Sequence, residues 1–337
     1  MAIHKKMNII LACSEIVPYA KTGGLADVSG ALNQELNRLG HNCISIMPFY
    51  KVVQMTHPRN TKSIAKFSIK IGKKYYPSEI IEGVFPHQNN PIWFVKNDHF
   101  YNRLGLYGDD KGDYQDNAIR FIFFCKVILE TIKVLDKHID IIHCNDWQTA
   151  LVPIFIKTIY SDEPTIKKIS TLLTIHNLAY QGLFWKGYFN LLGIDDKYFS
   201  PKYLEFYNKI NFLKAGILFA DKINTVSKKY AEEIQTADYG CGLEGVLKER
   251  AKDLTGIING IDYSIWNPEI DKLIERQYNN IDISGKAVCK KKLQIDLALP
   301  VKNEMPLIAF IGRLVEQKGI DLILDIFDKL MKKNVQF

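Results

Sequence analysis

The sequence lacks the features that mark several large classes of protein. No apolar run approaches the roughly 20 residues that a membrane-spanning helix requires. Residues 7–13 are apolar but lead into Ser14-Glu15 rather than into a signal-peptide cleavage site. The six cysteines form no C-x-x-C pair, which favours a reduced, cytoplasmic compartment. No basic block carries interleaved aromatics, so neither nucleic acid nor a membrane is an expected partner.

Two phosphate-binding signatures are also missing. The G-x-x-x-x-G-K-[ST] pattern does not occur, and no two aspartates have D-x-D spacing. The sequence therefore offers no acidic clamp through which a metal would hold a diphosphate, and we expect neither a metal nor a cofactor. If a diphosphate binds, lysine, arginine and helix starts must stabilise its charge.

The composition is that of an ordinary globular protein. Of the 337 residues, 47% are hydrophobic and 24% are charged, which is enough for a large core and roughly two domains. The net charge of +7 is spread along the chain. We interpret it as a lysine-rich surface rather than as a binding signal.

Strand-like and helical patterns alternate along the first 258 residues. Apolar positions recur on one helical face at residues 25–39, and Ser227 is placed to cap a helix that starts at residue 228. This alternation predicts an α/β fold with a doubly wound, Rossmann-like parallel sheet. Strands are predicted at residues 7–13, 43–47, 140–144, 170–175, 222–226 and 255–258, and helices at 25–39, 118–135, 149–160 and 228–235.

A second α/β pattern follows the turn signals at residues 259–262. It predicts a strand at 307–311 and a helix at 319–332 with Ile320, Ile323, Phe327 and Leu330 facing inward. One such strand–helix unit is too small to cover both faces of a sheet. We therefore expect two domains, residues 1–258 and 259–337, with the second one incomplete.

Polar groups follow three predicted strands. Lys21 comes after the first, Asp146 after the strand at 140–144, and His176 after the strand at 170–175. Ligands of parallel α/β sheets bind at the carboxyl ends of the strands, so these groups are candidate site residues. Local alternatives remain for each of them: a solvated lysine, a helix-capping aspartate and a hydrogen-bonded histidine.

The loop Lys21-Thr22-Gly23-Gly24 is the most informative of these segments. Its glycines let the backbone approach a ligand at a helix start, where N–H groups and the helix dipole favour an anion. A second cationic turn, with Arg313 and Lys318, could hold phosphate in the same way.

Taken together, these segments resemble bacterial glycogen synthases and plant starch synthases, and they occur in that family's order. The matching motifs are residues 13–15 (CSE), 21–28 (KTGGLADV), 143–147 (HCNDW), 174–182 (TIHNLAYQG), 259–262 (NGID) and 312–319 (GRLVEQKG).

The resemblance implies a two-lobed (GT-B) retaining hexosyltransferase that transfers glucose from ADP-glucose to the non-reducing end of an α-1,4-glucan and releases ADP without a metal. Residues 1–258 would be the acceptor-side catalytic domain, and residues 259–337 a linker and the start of the nucleotide-sugar domain. The enzyme would be cytoplasmic, or plastidial in a plant-like source. By position, the implied roles are glucose contact for His176, a hydrogen bond to the sugar for Asp146, donor binding for Lys21, Gly23 and Gly24, diphosphate binding for Arg313 and Lys318, and the acceptor side for Glu15 and Tyr107.

Two alternatives stay open. The chain could be a glucan-binding lobe without turnover, because the family's second lobe carries a glutamate pair and a glycine-rich loop that this sequence does not contain. We accordingly expect little synthase activity from this chain alone. It could also be another nucleotide-using α/β enzyme, such as a different nucleotide-sugar glycosyltransferase or a dehydrogenase.

Overall fold

The structure is a computed structural model that describes residues 5–56, 60–86, 90–312, 314 and 318–337. It divides into two compact units, the first ending at Gly260 and the second beginning at Ile261. This division lies within residues 259–262, the segment in which the turn signals occur.

The first unit contains fourteen strands among its described residues. They are β1 (Asn8–Ala12), β2 (Asn42–Pro48), β3 (Lys62–Ile71), β4 (Lys74–Val84), β5 (Pro91–Lys96), β6 (Gly108–Asp109), β7 (Gly112–Asp113), β8 (Ile141–Asn145), β9 (Ser170–Ile175), β10 (Leu183–Trp185), β11 (Glu205–Phe206), β12 (Lys209–Asn211), β13 (Lys222–Thr225) and β14 (Leu254–Gly256).

The helices are shorter on average than the sequence pattern indicates. They are α1 (Gly24–Arg38), α2 (Lys51–Met55), α3 (Asp98–Tyr101), α4 (Asn117–Val134), α5 (Val152–Lys157), α6 (Phe212–Phe219), α7 (Lys228–Glu233), α8 (Glu244–Glu249), α9 (Gly285–Asp296) and α10 (Ile320–Met331). The predicted helix at 149–160 is reduced to α5. The predicted cap is confirmed, because Ser227 Oγ accepts a hydrogen bond of 2.9 Å from the Tyr230 N–H.

The predicted parallel sheet is present. Nine strands form one sheet in the order β14-β13-β9-β8-β1-β2-β5-β4-β3, and all neighbours from β14 to β5 pair in parallel. The chain runs outward from β1 through β2 and then returns to β8 on the other side of β1. The strand order therefore reverses between β1 and β8, and such a switch point is where doubly wound sheets bind ligands.

The far edge of the sheet differs from the prediction. Residues 62–96, which the sequence pattern left irregular, form β3, β4 and β5, and β4 pairs antiparallel with both of its neighbours. Much of β3 and β4 is exposed, and a bulge between Ser63 and Ala65 shifts their register. A strand covered on one face only carries a weak hydrophobic signal, and a bulge disturbs its period of two.

The core of the first unit is built around α4. Fourteen of its eighteen residues are buried, so the helix is buried around most of its circumference, as expected for a helix enclosed by other elements. Two charged side chains, Arg120 and Lys126, are buried with it.

The second unit contains α9, α10 and a single parallel bridge between Leu307 and Gln336. The predicted strand at 307–311 is thus represented by one bridge within the described residues. The four positions of α10 that were expected to face inward are its half-buried ones, and the ring of Phe327 lies 5.5 Å from that of Phe337. Over the part of the chain that the structure describes, no helix combines the length and the apolarity that crossing a bilayer demands.

Lys126 is a buried cation whose nearby partners are neutral. Its Nζ atom lies 3.4 Å from the Lys70 carbonyl oxygen and 5.5 Å from the centre of the Phe155 ring. Among the described residues, no carboxylate forms an ion pair with it. Burial lowers the pKa of Lys126 to about 8, because the charged form is poorly solvated there.

We predict that Lys126→Met raises the free energy of unfolding by about 1–3 kcal/mol at pH 7. Between pH 8 and the unfolded-state pKa of 10.5, the unfolded chain binds more protons than the folded one. Relative to the variant, wild-type stability should therefore rise with pH across that window, so the difference in the free energy of unfolding between variant and wild type should narrow. Urea denaturation at pH 7 and pH 9.5 measures both effects.

Lys133→Met, on the exposed side of the same helix, is the matched control and should change stability by less than about 0.5 kcal/mol. A Lys126→Met protein that is no more stable than wild type at pH 7 would show that the carbonyl and ring contacts fully compensate the burial.

Candidate active site

The predicted site residues of the first unit lie at the carboxyl edge of the sheet, around its switch point. Strand β1 pairs in parallel with β8, and β8 with β9. The loop with Lys21 follows β1, Asp146 directly follows β8, and His176 directly follows β9. The structure thus brings together the three strand ends that the sequence analysis singled out.

Lys21 lies beside the start of α1. Its Nζ atom is 2.8 Å from Asp27 Oδ1, and the two side chains are 50% and 41% exposed. An ion pair that exposed contributes only about 0–1 kcal/mol. Asp27 therefore keeps the ammonium group near the first turn of α1. Because this ion pair is weak, the ammonium group remains available to an anion that binds there.

Gly23 and Gly24 leave open space at this helix start. A Cβ atom on either residue would meet no other atom within 4 Å. Gly23, the residue that precedes α1, has a φ of −155°, an extended conformation that any residue adopts. Packing within the protein therefore does not require glycine here. The space lies where the free N–H groups of a helix favour an anionic ligand.

Glu15 and Tyr107, predicted on the acceptor side, contact each other. Tyr107 Oη donates a hydrogen bond of 3.0 Å to Glu15 Oε1. The carboxylate of Glu15 also accepts from the Thr22 N–H and, at 3.2 Å, from the Gly23 N–H. The predicted acceptor-side and donor-side groups are therefore joined through Glu15, a connection that sequence spacing did not reveal.

Asp146 occupies an unusual backbone conformation. Its φ is 54°, in the left-handed region that aspartate tolerates better than most residues. Its N–H donates to the Thr174 carbonyl, and its Oδ1 atom accepts from the His176 N–H at 2.7 Å. Asp146 thus ties the end of β8 to the end of β9.

The environment of Asp146 disfavours its charge. Burial raises the pKa of the carboxyl to about 7, although the N–H groups of His176 and Asn177 oppose the shift, and the charge of Glu15 raises it further. A carboxyl that is both desolvated and held in a strained backbone conformation is a typical functional-site feature.

His176 is held as a neutral ring. Burial lowers its pKa to about 4. Its Nε2 atom lies 2.9 Å from Asn145 Oδ1, and the Asn145 amide nitrogen in turn donates to the Ala12 carbonyl. Because Asn145 accepts at this contact, Nε2 carries the proton and Nδ1 is the acceptor. Asn145 is thus a site residue that the sequence analysis mentioned only as part of a motif.

The nearby His143 has a structural position. It is buried within β8, and its Nε2 atom lies 2.6 Å from Thr174 Oγ1. Burial lowers the pKa of His143 to about 3, with a further contribution from His176. Trp147 likewise packs into the core, against Phe121, Phe184 and Phe212.

The second cationic turn belongs to the second unit. Lys318 is exposed and comes just before α10, whereas Arg313 lies outside the described residues. The roles predicted for both therefore remain predictions.

One glycine run was overlooked in the sequence. Gly240, Gly242 and Gly245 have the spacing G-x-G-x-x-G. In the structure Gly240 and Gly242 lie between α7 and α8, and Gly245 lies in the first turn of α8. Gly242, with a φ of 80°, packs against the Phe206 ring. The dinucleotide fingerprint requires a strand before the first glycine, so this run does not support a dehydrogenase. In the described residues, no three His, Cys, Asp or Glu side chains are grouped in a way that could hold a metal ion.

Comparisons with known proteins agree with this arrangement. A family profile described as "Starch synthase catalytic domain" matches residues 8–249. The chain is 42% identical to glycogen synthase 2 of Geobacter sulfurreducens over 331 residues, which are 98% of this chain and 68% of that protein. It is 43% identical to the glycogen synthase of Thermotoga petrophila, with the same two coverages.

The chain belongs to the starch synthase catalytic-domain family. The same relationship is visible in the fold: the catalytic domain of starch synthase IV from Arabidopsis thaliana, solved with ADP and acarbose bound, superposes with a TM-score of 0.89 and 32% identity, covering 99% of this chain and 68% of that one. The predicted GT-B class and the resemblance to glycogen and starch synthases are confirmed.

Within this family site, the charge of Asp146 should reduce stability. We predict that Asp146→Asn raises the free energy of unfolding by about 1–3 kcal/mol at pH 8. The folded protein retains the Asp146 proton up to about pH 7, whereas the unfolded chain loses it near 3.8. Relative to Asp146→Asn, wild-type stability should therefore fall as pH rises through that window. The stability that the buried His176 and His143 add with rising pH is common to both proteins and cancels in the difference. Urea denaturation from pH 4.5 to pH 8 measures it.

The exposed Asp238 provides the control, because Asp238→Asn should follow the wild-type pH profile. Equal stability of Asp146→Asn and wild type at pH 8 would contradict the proposed burial penalty.

Proposed function

We propose that the protein transfers glucose from ADP-glucose to the non-reducing end of an α-1,4-glucan with retention of configuration, and that it releases ADP without a metal. The observation that carries this proposal is the meeting of the Lys21 loop, Asp146 and His176 at adjacent strand ends, inside the segment that matches the family. The starch synthase IV relative, bound to ADP and acarbose, supports an ADP donor and an α-glucan acceptor.

Lys21 and the start of α1 would stabilise the charge of the donor. The leaving group is a diphosphate, on which negative charge grows as the glycosidic bond breaks. A fixed ammonium and free helix N–H groups oriented toward that charge are worth more in the transition state than in the ground state. Lys21 is therefore the residue whose loss should most affect the donor side.

His176 would recognise the sugar rather than transfer a proton. With a pKa of about 4, the ring is neutral at physiological pH, and Nε2–H is engaged by Asn145. Nδ1 is left to accept a hydrogen bond from a sugar hydroxyl. Asp146 holds the backbone of His176 and supplies a carboxyl near the reacting sugar.

The remaining specific assignments complete this proposal. Residues 1–258 would form the acceptor-side domain, and residues 259–337 the linker and start of the nucleotide-sugar domain, where Arg313 and Lys318 would hold the diphosphate. A reduced, cytoplasmic location is supported by six cysteines without a disulfide. The bacterial relatives give no support to a plastid location.

Glucose transfer to glycogen tests the function directly. We expect incorporation of label by this chain to be low but to favour ADP-glucose over UDP-glucose. It should fall by at least about a further tenfold in Lys21→Ala, because a charge-assisted phosphate contact is removed. Lys228→Ala, on the exposed start of α7, is the matched control. Co-sedimentation with glycogen without incorporation would instead support the alternative of a glucan-binding lobe.

A second prediction concerns the open space at Gly24. Gly24→Ala should leave the free energy of unfolding within about 0.5 kcal/mol of wild type, because its Cβ meets no protein atom. It should nevertheless weaken ADP binding by about tenfold or more, since the methyl group lies where the ligand approaches the backbone. Thermal unfolding and titration calorimetry measure the two effects.

Gly245→Ala is the control, because its Cβ also has no neighbour within 4 Å but it lies in the first turn of α8, away from the Lys21 loop. Unchanged ADP affinity in Gly24→Ala would place the donor elsewhere.

A further inference from the structure

Glu15 is the most heavily hydrogen-bonded carboxylate of the site. It is 4% exposed and lies three residues beyond the end of β1. One of its oxygens accepts from the Thr22 N–H and, at 3.2 Å, from the Gly23 N–H. The other accepts from Thr22 Oγ1 at 2.8 Å and from Tyr107 Oη at 3.0 Å.

These contacts occupy the hydrogen-bond acceptor sites of the Glu15 carboxylate. A carboxylate has about four lone-pair sites, and Glu15 receives four different donors from the protein itself. A glucan hydroxyl would have to displace one of them. The geometry therefore points away from direct sugar binding and toward a role within the protein.

The loop that Glu15 holds has few other attachments. Thr22 is exposed, and the Cβ positions of Gly23 and Gly24 touch nothing. Within the described residues, the N–H groups of Thr22 and Gly23 have no acceptor other than Glu15. Their backbone position, and with it the position of Lys21 before them and of the α1 start after them, depends on this carboxylate.

Glu15 is itself held in place by Tyr107, which other residues of the first unit fix in turn. Ser14 Oγ lies 2.6 Å from Tyr107 Oη and donates to it, because Tyr107 uses its own proton for Glu15. The backbone of Tyr107 is fixed by the side chain of Asn117, whose Nδ2 atom donates to the Tyr107 carbonyl at 2.8 Å. The carboxylate is thus held by Tyr107 as well as by the loop.

We propose that Glu15 is a positioning residue for the nucleotide-sugar donor: it fixes the loop of residues 21–24 so that the Lys21 ammonium and the free N–H groups at the start of α1 converge on the diphosphate. This inference rests on the proposed function for the identity of the donor. Its structural half, that Glu15 holds the loop, does not depend on it.

Glu15→Gln tests both halves, because it keeps the size of the side chain but turns one acceptor into a donor that faces the loop N–H groups. In the ligand-free protein, trypsin cleavage between Lys21 and Thr22 should rise about tenfold relative to other sites. The Kd for ADP should also rise about tenfold, consistent with loss of charge-assisted hydrogen bonds. Glycogen affinity should not change.

Glu35→Gln is the matched control, since Glu35 is exposed on α1 and pairs with Arg38; it should leave cleavage and ADP affinity unchanged. Unchanged cleavage at Lys21 in Glu15→Gln would overturn the proposal, as would faster cleavage with unchanged ADP affinity. Loss of glycogen affinity without a change in cleavage would overturn it in favour of an acceptor role. If wild type failed to bind ADP, the proposed function would fall, while the cleavage result would still decide whether Glu15 holds the loop.

A milder pair of variants covers the case in which Glu15→Gln does not fold. Thr22→Val removes only the Oγ1 donor and should raise the Kd for ADP about threefold. Thr22→Ser retains the hydroxyl and should restore wild-type affinity and wild-type cleavage at Lys21. Equal behaviour of the valine and serine variants would contradict the proposed role of the Glu15–Thr22 hydrogen bond.

Discussion

The parallel pairing of β1 with β2 on one side and β8 on the other is the constraint on which the site depends. Parallel strands share a polarity, so their carboxyl ends meet at one edge, and each end must pass into a loop there. The connection that follows β1 runs to one side of the sheet and the chain later returns to β8 on the other side, so a crevice is left at the carboxyl ends of β1 and β8. The Lys21 loop and Asp146 lie at that crevice, and β9 adds His176 because it is the next parallel neighbour. The positions of these residues follow from the topology before any side-chain contact is considered.

Burial then determines what these groups do chemically. His176 and His143 are neutral because an imidazolium would lose its hydration in this edge of the sheet. Burial also raises the pKa of Asp146 to about 7, and the left-handed backbone conformation of this residue adds strain. A protein selected for stability alone would place none of these groups there, since each lowers the free energy of unfolding. Their concentration at the switch point is what distinguishes a site from a set of capped strand ends.

The sequence predicted the parts of the fold in which local and global preferences agree. β9 has the predicted bounds, and α1, with its regular apolar face, is shifted by one residue. β3 and β4 were missed, since their exposed face and their bulge break the apolar period. In the site, the strand-end rule located Lys21, Asp146 and His176. It gave no sign that Glu15 holds Thr22 or that Asn145 orients His176, because those contacts join segments that only the folded backbone brings together.

Arg120 links the core to the donor loop. It is fully buried, and its guanidinium donates to the carbonyls of Phe100 and Leu106 and to Asn117 Oδ1. A buried guanidinium without hydrogen-bond acceptors would be very costly, so these acceptors must stay in place while the core is intact. The Leu106 carbonyl directly precedes Tyr107, and the Asn117 side chain also binds the Tyr107 carbonyl. The order of α4 is therefore transmitted through Tyr107 and Glu15 to Thr22. Although the glycines of the loop allow many backbone conformations, this chain of hydrogen bonds connects the loop to α4 and so restricts its position.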